Sequence, residues 1–210
     1  MTITVEYMDH MGSDLSTVNA ARVSFANESE ELDARDEKLI QYLADHRHMT
    51  PFRHNQVQVR CKAPIFLARQ LGKHQAGLSW NEVSRRYVDS EPEFYVPDVW
   101  RSRPDGSVKQ GSGDTHPHSA IVAKMVERTT TQCLLDYNAM VDNGVAPELA
   151  RMILPQSMMT TWVWTGNLLA FAHVYRERID SHAQLEAQVF ARELDAVIRP
   201  LFPVSWAALT

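Results

Sequence analysis

Cysteine is scarce in this sequence, and no hydrophobic run is long enough to cross a membrane. Two cysteines occur, Cys61 and Cys133, which gives no disulfide framework and indicates a reducing compartment such as the cytoplasm. No apolar run approaches the roughly 20 residues of a membrane helix, so we expect a soluble protein. The N-terminal segment lacks a basic region followed by an apolar core, which argues against a secretory signal.

The sequence also has fewer basic residues, 21, than acidic residues, 26. The formal net charge is −5 over 210 residues, which argues against a general nucleic-acid-binding protein, because such proteins present a basic face to phosphates. One segment reverses this balance, since residues 60–87 contain six basic side chains and one acidic side chain, Glu82, a local net charge of +5. A concentrated positive site on an acidic chain favours a small anionic ligand over a long polyanion.

The length of the chain suits one domain, residues 1–210, with a substantial core. Period-two alternation predicts strands in "TITVEYM", "HNQVQVRCK" and "SMMTTWVWT". Helical spacing predicts a surface helix within residues 27–49, with Leu39, Ile40, Leu43 and nearby Tyr42 on one face. Further helices are predicted within 63–73, 118–144, 146–155, 167–180 and 183–202. The sum is a mixed α+β domain with few strands and several long helices.

Two segments are predicted to be loops. Residues 101–118 hold three glycines, two prolines and few apolar side chains, which predicts a surface loop that stays flexible until a ligand binds. In residues 72–87, Gly72 and Gly77 break the chain after a helix end, and glycine lets backbone amides approach a ligand closely. The Ser-Arg-Arg run at 84–86 adds a hydroxyl and two guanidinium groups, so we expect an anion site there, with phosphate as the first choice.

Several other reactive side chains have simpler explanations. Ser84 lacks the Ser-His-Asp order or the Gly-x-Ser-x-Gly turn of a nucleophile, and phosphate binding is the preferred role. Cys61 and Cys133 lie on apolar faces and are expected in the core. The histidines near residue 50, and His182 with Glu186, lack the fuller spacing of a zinc site, so we assign no metal. The remaining aromatic candidates, Trp162 and Trp164, alternate in a strand pattern typical of core residues.

Segments in order along most of the chain resemble the flavin-dependent thymidylate synthases. They are "VNAARVSF", "TPFRH", "KAPIFLARQLGKHQAGLSWNEVSRRY", "ELARMILP" and "RIDSHAQLE". The signature of that family is Arg-His-Arg, seven residues, Ser, and shortly afterwards Arg-Tyr. Here Lys73, His74 and Gln75 occupy the first three positions, the spacing to Ser84 is one residue longer, and Arg85 stands where glycine is common. Lysine keeps the charge but loses the planar fork of arginine, and glutamine loses the charge.

The resemblance implies a fold, a reaction and an assembly. The fold is a single α+β domain with a small, mostly antiparallel sheet packed by long helices. The reaction passes the methylene of 5,10-methylenetetrahydrofolate to C5 of dUMP, and FAD reduced by NADPH completes the methyl group of dTMP, without a cysteine nucleophile. Such an enzyme is both a methyltransferase and an oxidoreductase of nucleotide biosynthesis. The family also implies a cytoplasmic homotetramer whose active sites are shared between subunits, with no nucleic acid or membrane as partner.

Site residues follow from the same resemblance, position by position. Arg178 is implied as the catalytic residue, which faces the uracil ring and stabilises the negative charge that develops there. The implied FAD contacts are Thr50, Lys73, His74, Gln75, Glu82, Asn167 and His173. The implied dUMP contacts are Gln70, Leu71, Gly72, Lys73, Glu82, Val83, Ser84, Arg85, Arg86, Arg151 and Arg178.

Two alternatives remain open at this point. The altered Lys73-His74-Gln75 triplet is compatible with a non-catalytic nucleotide-binding protein that keeps the fold, and a yellow purified protein would favour the enzyme, because flavin carries the redox chemistry. A nucleic-acid-binding protein using Arg85, Arg86 and the 101–118 loop is the other alternative. It would show duplex binding that falls steeply with salt, and the acidic net charge disfavours it.

Overall fold

In a computed structural model, the chain forms one four-stranded sheet packed by helices; the structure describes residues 2–88, 90–104, 106 and 111–210. The strands in this part of the chain are β1 (Thr4–Met11), β2 (Gln56–Pro64), β3 (Leu78–Glu82) and β4 (Met159–Asn167). The helices are α1 (Asp14–Arg22), α2 (Ala34–Asp45), α3 (Ile65–Leu71), α4 (Ser119–Asp142), α5 (Pro147–Ala150), α6 (Leu168–Ile179), α7 (Leu185–Ile198) and α8 (Pro203–Leu209). Short 3-10 turns cover Val23–Phe25, Pro51–Arg53 and Arg151–Ile153.

The sheet has the strand order β1-β2-β4-β3, and every neighbouring pair is antiparallel. Its inner face carries the alternating apolar residues that the sequence predicts, because successive side chains of a strand point to opposite faces. Val57, Val59 and Cys61 of β2 are fully buried, and Trp162 and Trp164 of β4 are at most 1% exposed. The α+β class, the antiparallel sheet and the core positions of these residues are therefore confirmed.

The core joins elements from both ends of the chain. Helices α6 and α7 pack on each other, and the buried cluster runs from Ile3 in the N-terminal segment to Leu209 in α8. Aromatic rings form its centre: Trp162 and Trp164 lie against Phe190, and Trp164 meets Phe171 edge-on with ring centroids 5.5 Å apart. Trp80 of β3 packs on Trp162 and Trp164, so this layer supports the strand that carries residues of the candidate site.

Several sequence-based predictions need correction. Cys133, expected in the core, is only half-buried on α4. Residues 78–82, predicted as loop, form the edge strand β3. All five pair with β4, and the side chains of Leu78 and Trp80 pack against the core while Ser79 and Asn81 are exposed. Tyr42 was placed on the buried face of α2, but its side chain is 51% exposed and stacks on His46, with ring centroids 3.9 Å apart. The C-terminal helix α8 was not predicted.

The long segment before α4 is largely irregular. Within it Arg101 and Thr115 form an isolated antiparallel bridge. Residues 105 and 107–110 of the predicted 101–118 loop lie outside the described residues, and the flexibility of this loop stays a prediction. None of the described helices combines the length and the apolar character needed to span a membrane.

Asp14 connects the first helix to the last one. Its carboxylate accepts hydrogen bonds from the backbone amides of Val204 at 2.9 Å and Ser205 at 2.8 Å, and the residue is 5% exposed. Asp14→Ala should lower the free energy of unfolding by about 2 kcal/mol, because two N–H donors lose a charged acceptor in a buried place. Urea denaturation followed by circular dichroism measures the loss.

Asp33→Ala is the matched control for this prediction. Asp33 also accepts from two backbone amides, those of Arg35 and Asp36, but it does so at the exposed start of α2. Water replaces a lost acceptor there, so a smaller loss of stability is expected. Equal losses in the two variants would show that burial of the Asp14 contacts adds nothing.

Candidate functional site

The polar segment that follows α3 forms one wall of a cleft of about 530 Å³. Helix α3 ends at Leu71, and the amides of Lys73 and His74 bond back to the carbonyl oxygens of Gln70 and Leu71 at 3.4 and 2.9 Å. This turn projects the side chains after the helix end towards β3. We call the space the α3 cleft; its lining includes Arg69, Lys73, His74, Gln75, Trp80 and Glu82.

Gly77 lets the chain turn into β3 directly against Asn167. Its φ of +76° lies in the left-handed region that favours glycine. Asn167, at the junction of β4 and α6, donates its backbone amide to the Gly77 carbonyl at 3.1 Å and caps α6 by accepting from Ala170. A Cβ on Gly77 would lie 2.4 Å from Nδ2 of Asn167. Because Gly77 has no side chain, the side-chain amide of Asn167 can lie directly against the Gly77 backbone.

Arg178 meets the signature segment through His74. From α6 its Nε donates to Nε2 of His74 at 3.1 Å, and its terminal nitrogen lies 2.9 Å from the same atom. The ring of His173 approaches His74 edge-on, with centroids 5.6 Å apart. Burial, and then electrostatic interaction with Arg178 and with His173, lowers the pKa of His74 to about 4, against a weaker opposing effect of Glu177. A neutral His74 accepts from Arg178 and so fixes a permanently charged guanidinium beside the cleft.

Glu82 occupies the boundary between the α3 cleft and a second groove. Its Oε1 accepts from the hydroxyl of Thr160 at 2.7 Å, and its Oε2 accepts from the indole of Trp80 at 3.3 Å. Trp80 in turn stacks on Trp162, with ring centroids 4.2 Å apart. The carboxylate of an otherwise exposed edge strand is thus held by the sheet and by the aromatic core.

The second groove has a volume of about 590 Å³ and carries cationic side chains from two distant segments. Arg85 follows β3, and Arg151 begins the 3-10 turn after α5, where its Nε donates to the Glu148 carbonyl at 3.2 Å. Glutamate side chains are also present, so the groove is of mixed charge rather than uniformly basic. We call it the arginine groove; its lining includes Lys62, Glu82, Val83, Arg85, Glu148 and Arg151.

Ser84 and Arg86 form a small turn beside this groove. The Ser84 hydroxyl accepts from Nε of Arg86 at 3.2 Å and from its backbone amide at 3.4 Å. The Arg86 guanidinium lies 5.0 Å from the centroid of the Tyr87 ring, and Arg85 donates to the carbonyl of Ser90. The turn therefore carries a hydroxyl and two guanidiniums on consecutive residues, which are the kinds of donor that an oxyanion needs.

The structure gathers most of the residues that the sequence singles out, but not all of them. Lys73, His74 and Gln75 share the α3 cleft with Glu82. Val83, Arg85 and Arg151 share the arginine groove, and Gly72 lies at the α3 turn. Thr50 precedes the 3-10 turn at Pro51–Arg53, and it lines neither the α3 cleft nor the arginine groove. The side chain of Leu71 is fully buried, so only its backbone is available to a ligand.

Sequence reasoning missed residues that support the site. Trp80 lies inside the quoted signature segment, yet it was not singled out because the segment was interpreted as a loop. Thr160 and Gln184 gave no local signal, since each matters only through a partner distant in sequence: Glu82 for Thr160 and Gln70 for Gln184. Residues of this kind become visible only when the partner is known.

Histidines and cysteines outside the site have structural surroundings. His182, in the turn before α7, bonds to Asp180 at 2.9 Å, whereas Glu186 of α7 pairs with Arg101 at 2.8 Å. His182 and Glu186 therefore face different partners. Burial, and secondarily the charge of Glu6, raises the pKa of the Cys61 thiol. A thiol that resists deprotonation is a poor nucleophile.

The lowered pKa of His74 predicts an acid-sensitive contribution to stability. Because the folded-state value of about 4 lies below the ordinary 6.5, protons bind the unfolded chain preferentially between these values. The contribution is therefore fully present above pH 6.5 and is lost as the pH falls towards 4. His74→Gln keeps an acceptor for Arg178 but does not titrate, so its stability should fall less than that of the wild type between pH 7 and pH 5. Urea unfolding without added flavin at both pH values measures the difference; parallel losses would contradict the prediction.

Known proteins resemble this chain in sequence and in structure. Residues 6–204 match the family model of the thymidylate synthase complementing protein. A flavin-dependent thymidylate synthase of Kosmotoga olearia is 37% identical over 97% of this chain and 88% of its own length. The enzyme of the same name from Thermus thermophilus is 34% identical over 97% of this chain and 74% of its own. The crystal structure of the UMP/dUMP methylase PolB from Streptomyces cacaoi, bound with 5-Br dUMP, superposes with a TM-score of 0.88 at 33% identity, covering 99% of this chain and 94% of that one.

Proposed function

Because the chain belongs to the flavin-dependent thymidylate synthase family, we propose that it methylates dUMP to dTMP, with 5,10-methylenetetrahydrofolate as carbon donor and FAD reduced by NADPH as hydride source. The observation that carries the proposal is the contact between His74 and Arg178, 104 residues apart in sequence. It joins the signature segment to the "RERID" segment at the edge of one cleft. The dUMP analogue bound by the similar methylase PolB supports the choice of nucleotide.

The α3 cleft has the chemistry to hold a flavin. Gly77 lies between the cleft-lining residues Gln75 and Leu78, and its lack of a side chain lets the side-chain amide of Asn167 lie directly against it. Lys73 and Gln75 add a cation and an amide at the exposed rim. We assign FAD binding to these three polar residues together with His74, Glu82 and His173. When bound and reduced, the flavin supplies the hydride.

The arginine groove and the turn at residues 84–86 suit the phosphate and sugar of a nucleotide. A phosphate dianion is best met by guanidinium forks and hydroxyl or backbone donors. Arg85, Arg86 and Ser84 supply such donors after β3, and Arg151, from a segment distant in sequence, supplies another guanidinium to the lining of the same groove. The remaining nucleotide contacts that we propose are Gln70, Leu71, Gly72, Lys73, Glu82 and Val83.

Arg178 acts on the uracil ring. Negative charge grows on the pyrimidine while C5 is being modified, and a fixed guanidinium stabilises it more in the transition state than in the bound substrate. Neutral His74 holds the guanidinium without competing for the same charge. We assign no covalent role to either cysteine, since Cys61 is fully buried on β2 and Cys133 lies midway along α4.

The single domain assembles as a cytoplasmic homotetramer in which neighbouring subunits complete each site. Two observations support this assembly. Helix α4 has 24 residues, all described, of which the structure buries Tyr137, while Ile121, Met125 and Leu135 are more than half exposed. An apolar helix face of this extent is typical of a protein interface. Thr50 lies apart from the other proposed FAD contacts within one subunit, so a neighbour is needed to bring it to them.

The test is the release of tritium from [5-³H]dUMP by the purified protein, with methylenetetrahydrofolate and NADPH present. Release that requires FAD and accompanies dTMP formation is the expected result. It would also show that Lys73 and Gln75 are tolerated in the signature. Binding of FAD and dUMP without release would contradict the proposed reaction and leave a nucleotide-binding protein that keeps the fold.

A further inference from the structure

Gln70, in the last turn of α3, is the first member of a chain of side-chain hydrogen bonds. Its Nε2 donates to Oε1 of Gln184 at 2.7 Å, and Nε2 of Gln184 donates to Oε2 of Glu186 at 2.8 Å. Glu186 accepts from the terminal nitrogen of Arg101 through both oxygens, at 2.8 and 2.9 Å. We call this series from Arg101 through Glu186 and Gln184 to Gln70 the amide relay.

The relay has a direction that its charged end imposes. Burial raises the pKa of Glu186, but hydrogen bonds from Arg101, its own backbone and Gln184 outweigh this effect and lower it overall. The ionised carboxylate only accepts, so Gln184 has to turn its NH₂ group towards it. The carbonyl of Gln184 then faces Gln70, which has to present its own NH₂ group. The charged Glu186 side chain, which is 5% exposed, thus determines the orientation of the Gln70 amide.

The charged end of the relay is itself held in place from several sides. Tyr95 donates its hydroxyl to Glu186 at 3.3 Å. Nε of Arg101 donates to the hydroxyl of Ser112 at 2.6 Å, and the Arg101 side chain is 19% exposed. The relay therefore begins on the segment before α4, crosses the start of α7 and ends on α3. Buried hydrogen-bond networks with all members satisfied hold their side chains in one arrangement.

We propose that Arg101 and Glu186 are positioning residues, which hold the Gln70 amide through Gln184 in the orientation that the nucleotide meets. The inference rests on the proposed function, because it assumes that Gln70 contacts dUMP. Without the carboxylate, the two amides can each rotate by half a turn and exchange donor for acceptor. The nucleotide would then meet Gln70 in the correct orientation only part of the time, and binding would weaken while the reacting groups stay unchanged.

Glu186→Gln tests the relay because it keeps the shape of the side chain but replaces a carboxylate, which only accepts hydrogen bonds, by an amide that also donates them. The KM for dUMP should rise about tenfold, the effect of one misplaced hydrogen bond, with kcat within about twofold and the FAD content unchanged. Gln184→Met should give the same rise while it leaves the Arg101–Glu186 pair intact. Gln184→Met therefore tests the relay even if Glu186→Gln does not fold. A fall in kcat without a rise in KM would overturn the proposal.

A matched control and a double variant separate positioning from general stability. Asp195→Asn breaks another carboxylate–arginine pair of α7, the one with Arg199 at 2.7 Å, which has no bond to the relay. Its thermal stability should fall, but its KM for dUMP should equal that of the wild type. In a Gln70→Ala background, Glu186→Gln should add nothing to the loss of dUMP affinity. Additive losses, or a raised KM in Asp195→Asn, would overturn the relay.

Calorimetric titration with dUMP distinguishes failure of the relay from failure of the proposed function. A wild-type protein that neither binds dUMP nor releases tritium contradicts the proposed function, and the relay falls with it. If the wild type binds dUMP, and Glu186→Gln and Gln184→Met bind it with the same affinity as the wild type, the relay is contradicted and the proposed function is not. Reduced affinity in both variants, lost in the Gln70→Ala background, supports it.

Discussion

Arg178→Ala should lower the turnover of dUMP by about 10²- to 10³-fold, the usual effect of removing one fixed group that stabilises developing negative charge. Arg178 on α6 makes two contacts, at 3.1 and 2.9 Å, to His74, which lines the cleft. The loss should therefore fall on kcat, since the charge grows only as the uracil reacts. Steady-state tritium release from [5-³H]dUMP, with FAD content and thermal stability recorded for the same preparations, measures the effect.

Arg176→Ala is the matched control, because Arg176 is an exposed arginine in the last turn of the same helix. Its turnover should equal that of the wild type. Arg178→Lys should recover part of the activity, since lysine keeps the charge and loses the planar fork. Turnover at the wild-type rate in Arg178→Ala, with FAD bound, would remove Arg178 from the catalytic role.

Gly77→Ala should weaken FAD binding by at least about tenfold, which corresponds to a loss of about 1.4 kcal/mol. Two costs combine at this residue. The φ of +76° is unfavourable for any residue with a Cβ, by roughly 1–2 kcal/mol. The added methyl would also lie 2.4 Å from Nδ2 of Asn167 and 3.2 Å from Cβ of Ala170, so the Asn167 amide has to move. Flavin titration followed by quenching of flavin fluorescence measures the affinity.

Gly144→Ala separates these two costs. Gly144, just after α4, has a similar φ of +82°, and its added Cβ would meet nothing within 4 Å among the described residues. This variant should lose a comparable amount of stability through backbone strain and keep the FAD affinity of the wild type. Equal FAD affinities in the two variants would show that the position of Asn167 does not matter for the flavin.

The departures from the family signature fall where the structure leaves room for them. Lys73 and Gln75 are exposed at the rim of the α3 cleft, whereas His74 between them is half-buried and carries the contact to Arg178. A side chain at the rim can change without disturbing the core, because few neighbours depend on its shape. The position that is unchanged relative to the signature is the one with a structural partner.

The sequence by itself determined the elements whose patterns are local. Alternation in β2 predicted the inward positions of Val57, Val59 and Cys61, because the side chains of a strand alternate between faces. Helical spacing placed Ile40 and Leu43 on the buried face of α2 for the same kind of reason. The quoted motifs also identified the family, since they preserve residue types in order along most of the chain.

Tertiary structure alone decided which distant residues meet. The pairing of β3 with β4 turned a predicted loop into a strand, because an edge strand of five residues has too short a pattern to recognise. The contact of His74 with Arg178 and that of Arg101 with Glu186 join residues 104 and 85 positions apart. Local periodicity reports which face of an element is buried, but the partner of a polar side chain depends on strand register and helix packing, which no single segment encodes.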